Sequence, residues 1–172
     1  MADTLTPEIR RLNMSRIRSS NTRPEVSLRK ALHARGFRYA INKRGLPGTP
    51  DILLPKYRVA ILVHGCFWHR HGCHRSTIPA TRTKFWEDKF NGNKARDERA
   101  VDSLIQLGWR IIIVWDCALN GRTKIGLSSV AESCATFIQT TNSYILVIQG
   151  TDNHSIRPSE PPITHRHESS QG

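Results

Sequence analysis

With 172 residues, 38% of them apolar and 23% charged, the chain has the size and polarity of one globular domain, long enough to bury a substantial core. No run approaches the ~18 apolar residues of a membrane span, and the start "MADTLTPEIRR" lacks the apolar core of a secretion signal, so a cytoplasmic protein is expected. Lysine and arginine number 26 against 14 acids, a net charge of +12 that favours a polyanion such as nucleic acid, with a solvated basic surface as the plainer alternative.

Residues 7–18 read as a basic amphipathic helix, with Ile9, Leu12 and Ile17 near helical spacing and arginines between them. "TRPE" at 22–25 is a helix start: Thr22 can cap and Glu25 sits three later, as in a capping box. Leu28, Ala31 and Leu32 then form an apolar face that Gly36 ends. Three strand-like runs follow, at 37–41, at "DILL" (51–54) and at "RVAILVH" (58–64). "GLPGTP" at 45–50 is turn material, and its last proline stands directly before Asp51. A long helix is expected over 84–107, with Val101, Leu104 and Ile105 inward, although Gly92 weakens its middle.

"WRIIIVW" at 109–115 reads as a second buried strand, followed by a helix near 124–139 and the strand-like "YILVIQ". The last 22 residues are rich in proline, serine and histidine and are expected to be disordered. They carry Arg157 and Arg166 against Asp152, Glu160 and Glu168, so the basic excess belongs to the folded part. This order implies an α/β sandwich around a small mixed sheet. The expected organisation is one domain over 1–140 and a C-terminal extension over 141–172.

Chemistry concentrates in "HGCFWHRHGCH", residues 64–74. Cys66, His71 and Cys73 offer three soft ligands, whereas a closed structural zinc site takes four. Cys117 is the candidate fourth. It follows strand 109–115 by two residues as Cys66 follows strand 58–64, so parallel neighbouring strands would bring the two together. His74 is a substitute ligand, and ordinary thiol burial is the plainer alternative. Cys134 shares a helix face with Val130, Phe137 and Ile138, which suits core filling. A saturated site does no chemistry, so the reactive centre should lie elsewhere. Asp51, at a strand start beside the strand ending at His64, either caps a turn or holds a hard ion such as Mg²⁺. His69, just outside that strand end, is a candidate general base.

The segments "LNMSRI" (12–17), "NTRPE" (21–25), "LPGTPD" (46–51), "VHGCFWHRHGCH" (63–74), "PATRTKFW" (79–86), "NKARD" (93–97) and "LGWRIIIVWDCAL" (107–119) together resemble the very short patch repair endonucleases. These are mismatch nickases related to the PD-(D/E)XK nucleases. The resemblance implies a three-layer α/β sandwich with a central mixed sheet and a structural zinc site. By it, Asp51 is the magnesium-binding aspartate, Val63 lends the ion its backbone carbonyl, and His69 helps activate the water. Glu25, His64, Asn93 and Asp97 match polar positions around the metal waters. Cys66, His71, Cys73 and Cys117 match the structural zinc ligands. Phe67, Trp68 and Trp86 match aromatics that wedge into DNA beside the mismatch, and Asn13 and Met14 fall in a segment that packs along the duplex.

One departure from the broad nuclease pattern is informative. An acid and then a lysine are expected near 62–65, where this chain has Leu62, Val63, His64 and Gly65. The repair nickases resemble it in lacking that acid. The implied activity is Mg²⁺-dependent nicking 5′ of the thymine in a T·G mismatch, the lesion left when 5-methylcytosine deaminates. The implied companion is a cytosine-5 DNA methyltransferase, and a monomer is the expected state. A restriction enzyme cutting paired duplex and a non-catalytic zinc-stapled DNA-binding module are the alternatives.

Overall fold

The computed structural model describes residues 6, 8, 9, 11, 12, 20–41, 43–140 and 142–151. Residues 8, 9, 11 and 12 are helical, in keeping with the N-terminal helix expected there, while Asn13, Met14 and the tail from 152 onward lie outside the described residues. Among the described residues, no helix is long and apolar enough to cross a membrane.

The first full helix, α1 (Arg23–Ala34), places Pro24 in its first turn, where the missing N–H is no loss. Thr22 is its N-cap, but neither bond of the reciprocal capping box is made, and Glu25 is held by other partners. The Thr22 hydroxyl donates to Glu25 Oε1 at 2.7 Å, and Glu25 Oε2 accepts the Asn21 N–H at 2.8 Å. Next come β1 (Ile52–Leu54), a 3₁₀ turn (Pro55–Tyr57), β2 (Val59–His64) and the long α2 (Thr83–Gln106). Gly92 does not interrupt α2; the helix closes at Gly108, whose φ of +78° suits glycine alone. The described residues finish with β3 (Arg110–Trp115), the single turn α3 (Asp116–Leu119), α4 (Leu127–Thr140) and β4 (Ile145–Ile148).

The sheet order is β1-β2-β3-β4, with β1 antiparallel to β2 and the other two pairings parallel. Side chains alternate between two cores. Val59, Ile61, Ile112 and Val114 pack with Leu28 and Leu32 of α1 and with Val130, Phe137 and Ile138 of α4. Ala60, Leu62 and Ile111 face the other way, onto Val101 and Leu104 of α2. Helices therefore cover both faces, which is why β2 reads as an unbroken apolar run. Cys134 is fully buried in the first core, as its helix face suggested.

Two boundaries differ from expectation. The run 37–41 is no strand: only Ala40 pairs, in an isolated bridge to Leu53. Prolines at 50 and 55 bracket β1 and remove the N–H groups a longer ladder would need. In addition, β4 lies past residue 140 and pairs with β3 in the same sheet.

Candidate active site and metal centre

Asp51 stands where β1 opens. Its N–H donates to Ile61 O at 3.1 Å, but its side chain replaces the next rung: Oδ2 accepts the Val63 N–H at 2.7 Å. That fixes the carboxylate beside the end of β2. Arg29 holds it from behind, donating Nη2 to Asp51 O at 2.9 Å while pairing with the buried Glu25 at 3.2 Å. Burial pushes the Asp51 carboxyl up to about 6, and Glu25 adds to this. The Val63 N–H, Arg29 and His69 act the other way. A nearby cation would relieve such a carboxylate.

His64 and His69 stack face to face, ring centres 4.1 Å apart and planes 2° from parallel. His69 Nδ1–H donates to Asp97 Oδ2 at 2.5 Å. A carboxylate only accepts, so the proton sits on Nδ1 and the Nε2 lone pair is left available. Burial, and then the charge of His69, pull His64 down to about 4, so it is neutral at pH 7. The three side chains offer ligand atoms within 4.8 Å of one another. Parallel stacked rings cannot, however, aim their in-plane lone pairs at one ion, so this trio is suited to orienting a base.

Asn93 and Asp97, one helical turn apart on α2, share a face. Asn93 Nδ2 donates to Trp68 O at 3.0 Å. One stripe of helix thus positions both the Trp68 backbone and the His69 ring. Asp51, Val63, His64, His69, Asp97 and Glu25 line one open cleft of about 1400 Å³.

The second cluster is Cys66, His71, Cys73 and Cys117, whose ligand atoms also lie within 4.8 Å of one another. The β2–β3 register places His64 opposite Trp115, so the residues following both strands meet, and the Cys117 N–H reaches Cys66 Sγ at 3.3 Å. All four cysteines are unbridged. Burial pushes the Cys66 and Cys117 thiols up, each opposed by a backbone N–H directed at its sulfur. Three sulfurs and one imidazole, enclosed and held by N–H donors, fit a soft or borderline divalent ion with no position left for water. His74 is not part of the set.

Phe67 and Trp68 project from the loop between Cys66 and His71. Their rings meet at 5.0 Å, and Trp86 completes a cluster at 5.5 Å from Phe67 and 6.2 Å from Trp68. All three are half-buried. Phe90, which the sequence reading passed over, is the buried root of this cluster, 5.2 Å from Phe67. Exposed Phe85 continues it 5.5 Å from Trp86. Cations edge the patch: Lys89 lies 5.7 Å from the Trp68 ring and Arg82 4.6 Å from Phe85.

Arg29 was also missed. Its i,i+4 spacing from Glu25 was visible, but the contact to Asp51 was not.

An α/β domain with an acid–histidine cleft bordered by cations and a half-buried aromatic cluster has the parts that a nuclease acting on DNA would need. Residues 2–75 match the family model described as DNA mismatch endonuclease Vsr. A relative named "Type II nicking enzyme V.XorIIP", from Xanthomonas oryzae pv. oryzae, is 47% identical over 120 residues, covering 70% of this chain and 88% of its own. "DNA mismatch endonuclease Vsr" of Escherichia coli is 41% identical over 138 residues, covering 80% and 88%. "Type II nicking enzyme V.NmeAIP" of Neisseria meningitidis is 40% identical over 122 residues, covering 71% and 87%. The chain belongs to the Vsr DNA mismatch endonuclease family.

Proposed function

We propose that this chain nicks one DNA strand 5′ of the mispaired thymine in a T·G mismatch, leaving a 5′-phosphate and a 3′-hydroxyl. The observation that carries this reading is the cleft itself. A histidine held by Asp97 with Nε2 available stands beside the half-buried Asp51 carboxylate and next to a cation-edged aromatic patch. Asp51 and the Val63 carbonyl would hold Mg²⁺, which when bound activates water and offsets charge on the phosphate. His69 takes the proton of the attacking water at Nε2, and Asp97 keeps the tautomer that allows it. His64 supplies a neutral face against which the His69 ring is stacked. Glu25 and Asn93 complete the polar wall. The fold reading is PD-(D/E)XK-like, in a cytoplasmic monomer that works alongside a cytosine-5 DNA methyltransferase.

A 5′-labelled duplex with one T·G pair tests the activity. One nick, on the thymine strand and dependent on Mg²⁺, is expected. Cleavage of both strands of a paired duplex would indicate a restriction enzyme instead, and binding without any cut a non-catalytic module.

Zinc in the Cys66, His71, Cys73 and Cys117 set is proposed to be structural. Replacing Cys117 with serine should lower zinc content and melting temperature together. A variant that keeps one zinc per folded chain would remove Cys117 from the site.

Phe67, Trp68 and Trp86 are proposed to wedge beside the mismatch, where unstacking is least costly. A base–aromatic stack is worth about 1–3 kcal/mol, so Trp68→Ala should weaken mismatch binding by roughly 5–150-fold. Paired DNA, held mainly through phosphates, should lose less. Equal losses on matched and mismatched duplexes would make Trp68 general surface.

A further inference from the structure

The four ligands of the metal centre do not stand alone: the end of the last strand closes over them. In the β3–β4 pairing Ile148 lies opposite Val114, so the chain leaving β4 runs beside Trp115 and reaches Cys117. There it makes two contacts with the centre. Gln149 Oε1 lies 2.9 Å from His71 Nε2, and the Gly150 N–H donates to Cys117 Sγ at 3.3 Å.

We propose that Gln149 and Gly150 form the outer shell of the Cys66, His71, Cys73 and Cys117 centre, with Gln149 deciding which nitrogen of His71 faces the ion. This inference rests on the reading that the centre holds zinc. An imidazole presents two nitrogens, and the hydrogen bond at one fixes the role of the other. The Gln149 carbonyl oxygen only accepts, so Nε2 carries the proton and Nδ1 keeps its lone pair. Nδ1 is the nitrogen on the sulfur side, 3.5 Å from Cys117 Sγ. The ring is also clamped from its face by Trp115, centres 4.2 Å apart and planes at 25°. Ring plane and proton position are thus set before any ion arrives, and less freedom is lost when one binds.

Gly150 acts on the sulfur. Its N–H donates directly to the Cys117 sulfur and so fixes where that ligand atom points. The approach is close: a Cβ at this position would stand 2.7 Å from Thr123 O and 2.8 Å from Cys117 O, so only glycine brings the backbone N–H in. The sulfur therefore receives a donor that no side chain supplies. The centre is assembled from a loop, a helical turn and the far end of the sheet, and its grip on metal depends on residues outside the ligand motif.

Full-length zinc-loaded protein and its Gln149→Leu and Gln149→Glu variants test this. Zinc release to a chromogenic chelator, cobalt absorption spectra and nitrogen NMR of the His71 ring provide readouts independent of nicking. Outer-shell partners of metal-bound histidines are typically worth about 10–100-fold in affinity. Gln149→Leu should speed zinc release by a factor in that range while the loaded protein keeps its fold. Gln149→Glu should restore slow release, because a carboxylate also accepts the Nε2 proton, and wild-type His71 should show a protonated Nε2. Release from the leucine variant at the wild-type rate overturns the inference, as does a glutamate variant as leaky as the leucine one. A wild-type chain that takes up no zinc removes the metal reading and this inference with it. A zinc-loaded chain with equal release rates removes only the role of Gln149.

Discussion

Asp51→Asn is expected to abolish nicking and at the same time raise the melting temperature of the magnesium-free protein. Both follow from one carboxylate held where a negative charge is poorly solvated. Its folded pKa, raised from 3.8 to about 6, means the folded state binds the proton more tightly than the unfolded chain does. The destabilisation is absent below the unfolded value, grows as pH rises between the two, and is complete above about 6. At ~1.4 kcal/mol per unit this is about 3 kcal/mol at most, reduced by the partial exposure of the group to about 1–3 kcal/mol. Asparagine keeps an oxygen for the Val63 N–H and drops the charge. Thermal unfolding without magnesium should therefore favour the variant at pH 8 and show little difference near pH 3. Added Mg²⁺ should raise the wild-type melting temperature by mass action and leave the variant unmoved. Below about pH 6 the ion must displace a proton, so its apparent affinity should fall by about tenfold per pH unit. An asparagine variant that melts lower at pH 8, or that nicks, would contradict this account of Asp51.

Much of this site could be read from the chain because its parts are local or depend on a simple register. Cys66 and Cys117, 51 positions apart, were connected by one idea, that two apolar strands run parallel and end together. The β2–β3 ladder has that register. The helix carrying Asn93 and Asp97 was legible from its apolar stripe, even with Gly92 inside it. What escaped notice depends on packing between distant elements. Arg29 reads as an ordinary basic residue on a helix, and only the docking of α1 against β1 brings it to Asp51. Gln149 lies 78 positions from His71, just past a strand whose alignment no periodicity reveals. The aromatic patch shows the same limit. Phe67, Trp68 and Trp86 are singled out by the family resemblance, whereas Phe90, the buried residue that anchors them, carries no motif signal.

The dyad of His69 and Asp97 allows the sharpest test, because substitutions of one residue should differ in a definite order. Loss of a general base typically slows a reaction by about 10²–10⁴, and His69→Ala should fall there. In the proposed mechanism Asp97 acts through the proton on Nδ1, so the consequence depends on what replaces it. Alanine removes the partner and leaves the imidazole free to sample both tautomers, a fraction of which still presents Nε2 as a base. Asparagine can turn its amide N–H toward Nδ1, forcing the proton onto Nε2 and removing the lone pair facing the cleft. Asp97→Asn should therefore be the slower of the two, near the His69→Ala rate, although it is the milder change in shape. Single-turnover cleavage of a preformed mismatch complex, with binding measured separately, reads the chemical step alone. If asparagine at 97 cleaves faster than alanine, Asp97 acts through charge and not through the tautomer of His69. If both cleave at the wild-type rate, the proton leaves the attacking water by another route.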